Sequence, residues 1–153
     1  MIPLRTRFLL ADDDADDTLL FCEALASVAP NMECHTVENG RMVFEVLAKR
    51  QKDSPDVMFP DVFFLDINMP IMNGWECLKK LKDHSDYKEI PAIMYSTSSA
   101  KRDIDLAYRL GALVFVTKPD DFKELCKILA VIATSSEASL IRHLSIFESV
   151  KLN

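Results

Sequence analysis

Short apolar runs alternate along this chain with stretches whose apolar residues recur every three or four positions. Phe8 to Ala11 is a continuous apolar run and reads as a first strand. Asp14 or Asp16 can cap a helix that follows to about Val28, with Leu19, Leu20, Cys22, Ala24 and Leu25 at its apolar positions. Pro30-Asn31 ends that helix, Met32 to Val37 reads as a second strand, and Glu38-Asn39-Gly40 as a turn. Met42, Val43, Val46 and Leu47 then return at helical spacing. Residues 49–61 are polar, hold Pro55 and Pro60, and read as the longest loop.

The second half repeats the alternation. Val62 to Leu65 is apolar on both faces, as in the middle of a covered parallel sheet. A turn over 69–74 leads to a helix from Trp75 to about Lys82. Ala92 to Tyr95 is a fourth strand, followed by a helix from Asp103 to Leu110 that Gly111 closes. Leu113 to Val116 is a fifth strand, and Phe122 to about Ala133 a fifth helix. Residues 134–153 carry Leu140, Ile141, Leu144, Ile146, Phe147 and Val150, enough for another helix or an extension of the last one. Five strands alternating with five helices predict an α/β doubly wound domain with a parallel sheet.

A chain of 153 residues, 49% apolar and with three glycines, fits one domain with a packed core. The net charge of −6 argues against direct nucleic-acid binding. Cys22, Cys34, Cys77 and Cys126 are scattered singly and read as reduced core cysteines of a cytoplasmic protein. The start of the chain lacks a signal-peptide layout, and no apolar run is long enough to span a membrane.

The candidate chemistry sits at the strand ends. Strand one ends at Asp12-Asp13-Asp14, strand three at Asp66, strand four at Ser96-Thr97 and strand five at Lys118-Pro119. In parallel sheets these ends crowd one edge, where ligands bind. A carboxylate at the tip of an apolar strand is costly unless something uses it. Clustered carboxylates suit Mg²⁺ or Ca²⁺, and a lysine with a hydroxyl beside such a centre suits a phosphoryl group. Taken singly, Asp12 to Asp17 reads as a solvated helix cap, Ser96 or Thr97 as a strand-end hydroxyl, and Lys118 as a surface lysine. The combination and its order carry the functional reading.

The chain resembles the receiver domain of two-component response regulators. The segments that carry the resemblance are 8–14 (FLLADDD), 65–70 (LDINMP) with Asn73-Gly74, 93–97 (IMYST) and 115–119 (FVTKP). Asp66 and Ser96 are 30 residues apart and Ser96 and Lys118 are 22 apart, as the family pattern expects. The resemblance covers about residues 5–132, leaving 133–153 as a C-terminal extension too short for a helix-turn-helix output domain.

It implies a flavodoxin-like sheet of order 2-1-3-4-5. It also implies roles at named positions: Asp66 as phospho-acceptor, and Asp12, Asp13, Asp66 and the backbone carbonyl of Asn68 as the Mg²⁺ site. Ser96, Thr97 and Lys118 would bind the phosphoryl group. Ser96 and Phe115 would be the switch pair, and the bond before Pro119 would be cis. The chain departs from the commoner pattern in having Ser rather than Thr at 96, no hydroxyl on Phe115, and a longer segment over 49–61. That segment resembles stand-alone regulators of phytochrome-type kinases.

The resemblance implies a regulator that catalyses only its own phosphorylation and dephosphorylation. Its expected partners are a sensor histidine kinase or phosphotransfer protein, a downstream protein, and a second copy of itself as candidate. Two rival readings use the first acidic run. A haloacid-dehalogenase-type phosphatase would use Asp12-x-Asp14, Ser96, Lys118 and Asp120-Asp121, but leaves Asp66 idle. An EF-hand would use Asp12, Asp14, Asp16 and Glu23, but has Asp17 where glycine belongs.

Overall fold

The computed structural model describes residues 7–53 and 59–153. Arg5, where the domain was expected to begin, and Pro55 lie outside them. Twelve elements follow in chain order. The first half gives β1 Arg7–Ala11, α1 Ala15–Val28, β2 Glu33–Val37, α2 Gly40–Asp53, β3 Val62–Leu65 and α3 Gly74–Asp83. The second gives β4 Ala92–Ser96, α4 Lys101–Arg109, β5 Val114–Thr117, α5 Phe122–Thr134, α6 Glu137–Leu144 and β6 Val150–Lys151.

The sheet order is β2-β1-β3-β4-β5-β6. The first five strands are parallel, in the expected order, and β6 is antiparallel to β5. The described residues hold six helices, and α6 is the further helix that residues 134–153 allowed. One expectation is corrected: α2 runs to Asp53, through the start of the expected loop. Ala48, Lys49 and Lys52 of its last turns are exposed, and Arg50 reaches Glu33 of β2 at 3.0 Å.

The continuous apolar runs have a simple origin. Successive strand side chains point to opposite faces, and both faces are covered. Phe8, Leu10, Val62, Phe64, Ile93, Tyr95, Val114 and Val116 join one core under α1, α5 and α6. Leu9, Ala11, Phe63, Leu65, Met94 and Phe115 join the other under α2, α3 and α4. Phe64 meets Phe8, Phe21 and Tyr95 with ring centroids 5.1, 4.9 and 6.4 Å away. Burying each such side chain contributes about 1.5–3 kcal/mol.

Helix ends follow their local sequence. Asp14 caps α1 by accepting from the Asp17 N–H at 3.0 Å. Asn73 and Glu76 form a reciprocal capping box on α3. Gly111 takes a φ of 101° just past α4, as a closing glycine should. Ser135 breaks α5 from α6, and Ser136 caps α6.

Candidate functional site: an acidic pocket at the strand tips

Backbone ladders carry the acids to the sheet's carboxyl edge. The Asp12 N–H donates to the Val37 carbonyl, and the Asp66 N–H to the Ala11 carbonyl, each at 2.9 Å. Both residues therefore continue their strands by one position and turn their side chains into the space beyond. One Asp12 oxygen accepts from the Asp14 N–H at 2.9 Å, and Asp66 Oδ1 accepts from the Ile67 N–H at 2.8 Å. That leaves Oδ2 of each carboxylate facing the pocket. Gly74 secures the loop after Asp66. Its N–H donates to the Ile67 carbonyl at 2.8 Å, and a Cβ there would fall 2.0 Å from the Asp66 carbonyl oxygen.

Lys118 closes the pocket. Its Nζ lies 2.8 Å from Asp12 Oδ2, 2.7 Å from Asp17 Oδ2 and 3.2 Å from Asp66 Oδ2. The ammonium also stands 5.5 Å from the centroid of the Tyr95 ring. Burial alone would lower the Lys118 pKa; its close contacts with the Asp12 and Asp17 carboxylates and the charge of Asp66 outweigh this and hold the ammonium charged. Burial pushes the Asp12 carboxyl up to about 6, against the opposing pull of Lys118.

Asp12, Asp13 and Asp66 each offer an oxygen within 4.8 Å of the others. Asp12 Oδ2 is buried and, though close to Lys118, receives no directed hydrogen bond. A buried carboxylate oxygen without a directed donor, beside two further carboxylates, is a donor set that fits a hard divalent cation. Asn68 is exposed two residues beyond Asp66. An open cavity of about 500 Å³ adjoins the acids, lined by Asp13, Thr18, Leu19, Glu38 and Met42 among others. A larger hollow of about 640 Å³ near Phe44, Met72 and Lys80 lacks such a cluster and is not the chemical site.

The other expected residues fall around this centre. Ser96 is buried at the end of β4, where its hydroxyl accepts from the Ser98 N–H at 3.2 Å. The Lys118 N–H donates to the Ser96 carbonyl at 2.7 Å, tying the tips of β4 and β5 together. Thr97 is exposed. Phe115 lies wholly inside the protein, and its N–H donates to the Tyr108 hydroxyl at 3.2 Å. The expected cis bond at Pro119 is corrected: no described peptide bond is cis. A prolyl bond prefers trans by about 0.5–1 kcal/mol unless its surroundings demand otherwise.

Asp17 is the residue that sequence reasoning missed. It looked like one more acid in a helix's first turn, and only the fold shows Lys118 bonded to it across 101 residues of chain. The rival acidic motifs dissolve. Asp14 is spent capping α1 and Asp121 capping α5. Asp16 and Glu23 lie within the helix itself, so no EF-hand loop exists there.

A profile of the response regulator receiver domain matches residues 8–130. The chain belongs to the response regulator receiver domain family. Response regulator Rcp1 of Synechocystis is 28% identical over 121 residues, which cover 79% of this chain and 82% of Rcp1. The crystal structure of the phosphorylated cyanobacterial phytochrome response regulator RcpA is 29% identical, with a TM-score of 0.71, over 84% of this chain and 91% of that one. The Mn²⁺-bound form of Rcp1 is 25% identical with a TM-score of 0.68, over 97% of this chain and 99% of that one.

Membership makes the chain a signalling domain of the two-component phosphorelay rather than a turnover enzyme, and implies a histidine kinase as partner. Among the described residues, no helix is long and apolar enough to cross a membrane.

Proposed function

We propose that this chain works as a single-domain response regulator that accepts a phosphoryl group on Asp66 with Mg²⁺ as its cation. The observation that carries this is one ammonium, Lys118, held between Asp66 and Asp12 beside a three-carboxylate cluster. In this reading a carboxylate oxygen of Asp66 attacks phosphorus. The P–N bond of a phosphohistidine breaks, an acyl phosphate forms, and the departing imidazole takes a proton. Lys118 and Ser96 neutralise and hydrogen-bond the transferred oxygens, with the Thr97 backbone beside them.

Asp12, Asp13, Asp66 and the Asn68 carbonyl would hold the cation, which supplies charge neutralisation during transfer. The donor is a sensor histidine kinase or a phosphotransfer protein in the cytoplasm. The likeness to RcpA, a phytochrome response regulator, makes phytochrome-type kinases the first donors to try.

Charge added at Asp66 pulls on Ser96 and Lys118 and repacks Phe115, altering the face formed by α4, β5 and α5. A downstream protein or a second copy of the chain reads that face. The domain boundary belongs to the same proposal: residues 5–132 form the receiver and 133–153 a C-terminal extension. Because Leu140 and Leu144 are fully buried in the common core, the extension is part of the same folded body.

The test is labelling by a small phosphodonor, acetyl phosphate, with and without Mg²⁺. Wild-type chain takes up label only with the cation, and Asp66→Asn takes up none. Normal labelling of Asp66→Asn would overturn the acceptor assignment; loss of activity on a generic phosphate ester in Asp12→Ala alone would favour the phosphatase instead.

A further inference from the structure

We propose that Asp17 is a positioning residue for the metal site, holding Lys118 from the α1 side so that a divalent cation can take Asp12 and Asp66 from it. The inference rests on the metal-assisted reading of the site given above. Its starting point is a competition visible in the pocket. Lys118 sits 2.8 Å from Asp12 and 3.2 Å from Asp66, two of the three carboxylates that suit the cation. The ammonium and the cation therefore want the same oxygens. Asp17 lies outside the three-carboxylate cluster yet makes the shortest of the three contacts to Lys118, 2.7 Å.

Asp12 Oδ2 receives no directed hydrogen bond from Lys118 despite its proximity, whereas Asp66 accepts one at 3.2 Å and Asp17 a shorter one at 2.7 Å. Asp17 is also the most exposed of the three partners. Its side chain is 31% exposed, against 8% for Lys118 and 0% for Asp12. Lys118 is thus a buried cation whose most solvent-facing counter-ion is Asp17, at 31% against 12% for Asp66. A cation that claims Asp12 and Asp66 would leave the buried ammonium beside a divalent charge, which is strongly unfavourable without a remaining partner. Asp17 is that partner. It reaches in from the first turn of α1, whereas the cluster's third member, Asp13, makes no ion pair with Lys118.

Removing the Asp17 charge leaves Lys118 to settle on Asp12 and Asp66 alone. The cation must then displace it without compensation. Loss of one charge-assisted hydrogen bond sets the scale, so the Mg²⁺ dissociation constant of Asp17→Asn should rise about tenfold. The experiment is calorimetric titration of MgCl₂ into the full chain without phosphodonor, for wild type, Asp17→Asn, Asp17→Glu, Lys118→Ala and the Asp17→Asn/Lys118→Ala double variant.

Asp17→Glu keeps the charge and should recover most of the affinity. Lys118→Ala removes the competitor, so it should bind Mg²⁺ more tightly than wild type, and adding Asp17→Asn to it should cost less than about twofold. Equal affinity of wild type and Asp17→Asn overturns the proposal. So does an equal loss in the Lys118→Ala background, which would make Asp17 a general negative charge. So does an equal loss in Asp17→Asn and Asp17→Glu accompanied by lower melting temperatures, which would make its role structural. Labelling of wild-type Asp66, run alongside, keeps failures apart: a wild-type chain that binds no Mg²⁺ and takes no label sinks the parent reading itself.

Discussion

Strand β5 takes part in two regions built on opposite principles. At its carboxyl tip, Lys118 meets Asp12, Asp17 and Asp66, and nearly every contact is a charge. Along its outer edge, Phe115 and Val116 pair with Lys151 and Val150 of β6, and nearly every contact is backbone or apolar. The Thr117 N–H donates to the Ser149 carbonyl at 2.8 Å, and Tyr108 of α4 bridges the region by accepting from Phe115 and donating to the Lys151 carbonyl. Behind β6, Leu140 and Leu144 of α6 are fully buried. The tip assembles mutually repelling acids around one cation, which serves chemistry and does little for folding. The edge extends the sheet and the core, which serves folding. Because both act on the same strand, the proposed phosphorylation at the tip would bear on how β5 and its C-terminal cover sit against α4.

This contrast can be broken from either side. At the tip, Lys118→Ala should lower the rate of Asp66 labelling at least about 100-fold, the scale for removing a group aimed at developing charge. Stopped-time labelling with acetyl phosphate measures it, and a loss of only a few-fold would mean the ammonium is not aimed at the transferred group. At the edge, Leu144→Ala should cost about 2–5 kcal/mol of stability by leaving a cavity in the core. Labelling per folded molecule should stay unchanged. Urea unfolding with a parallel labelling assay checks both halves, and a stable variant would show that α6 is only loosely applied.

Tyr108→Phe is the mildest probe. It removes the hydroxyl that links Phe115 to Lys151, at a net cost of about 1 kcal/mol. Amide exchange should quicken at Val150 and Lys151 more than in β1 or β3. Uniform quickening would mean that β6 opens only with the whole domain.

The same two regions differ in how far they were legible. The tip was readable because each apolar strand run ends in a residue that has no place in a core: Asp12, Asp66, Ser96, Lys118. Parallel pairing then forces those ends together. Asp17 was not readable, because an acid in a helix's first turn has a sufficient local reason to be there. Its contact with Lys118 depends on where α1 lies over the sheet. The edge was hardly readable at all. β6 has two residues, one of them lysine, too short for an alternating pattern. Its pairing depends on β5 being left as an open edge, a property of the assembled sheet. The helical face of α2 was lost after Leu47 because no large apolar residue follows it there, and Ala48, Lys49 and Lys52 are exposed. The cis bond at Pro119 came from family likeness alone, with no residue pattern behind it.

The most direct test of the central claim is to trap the modified residue chemically. Wild-type chain incubated with acetyl phosphate and Mg²⁺, then reduced with borohydride, converts an acyl phosphate on aspartate to homoserine, and peptide mass spectrometry locates it. The account predicts homoserine at position 66 alone, and none when Mg²⁺ is removed by chelation. Homoserine at position 12 or 13, or conversion at 66 that persists without the cation, would contradict it.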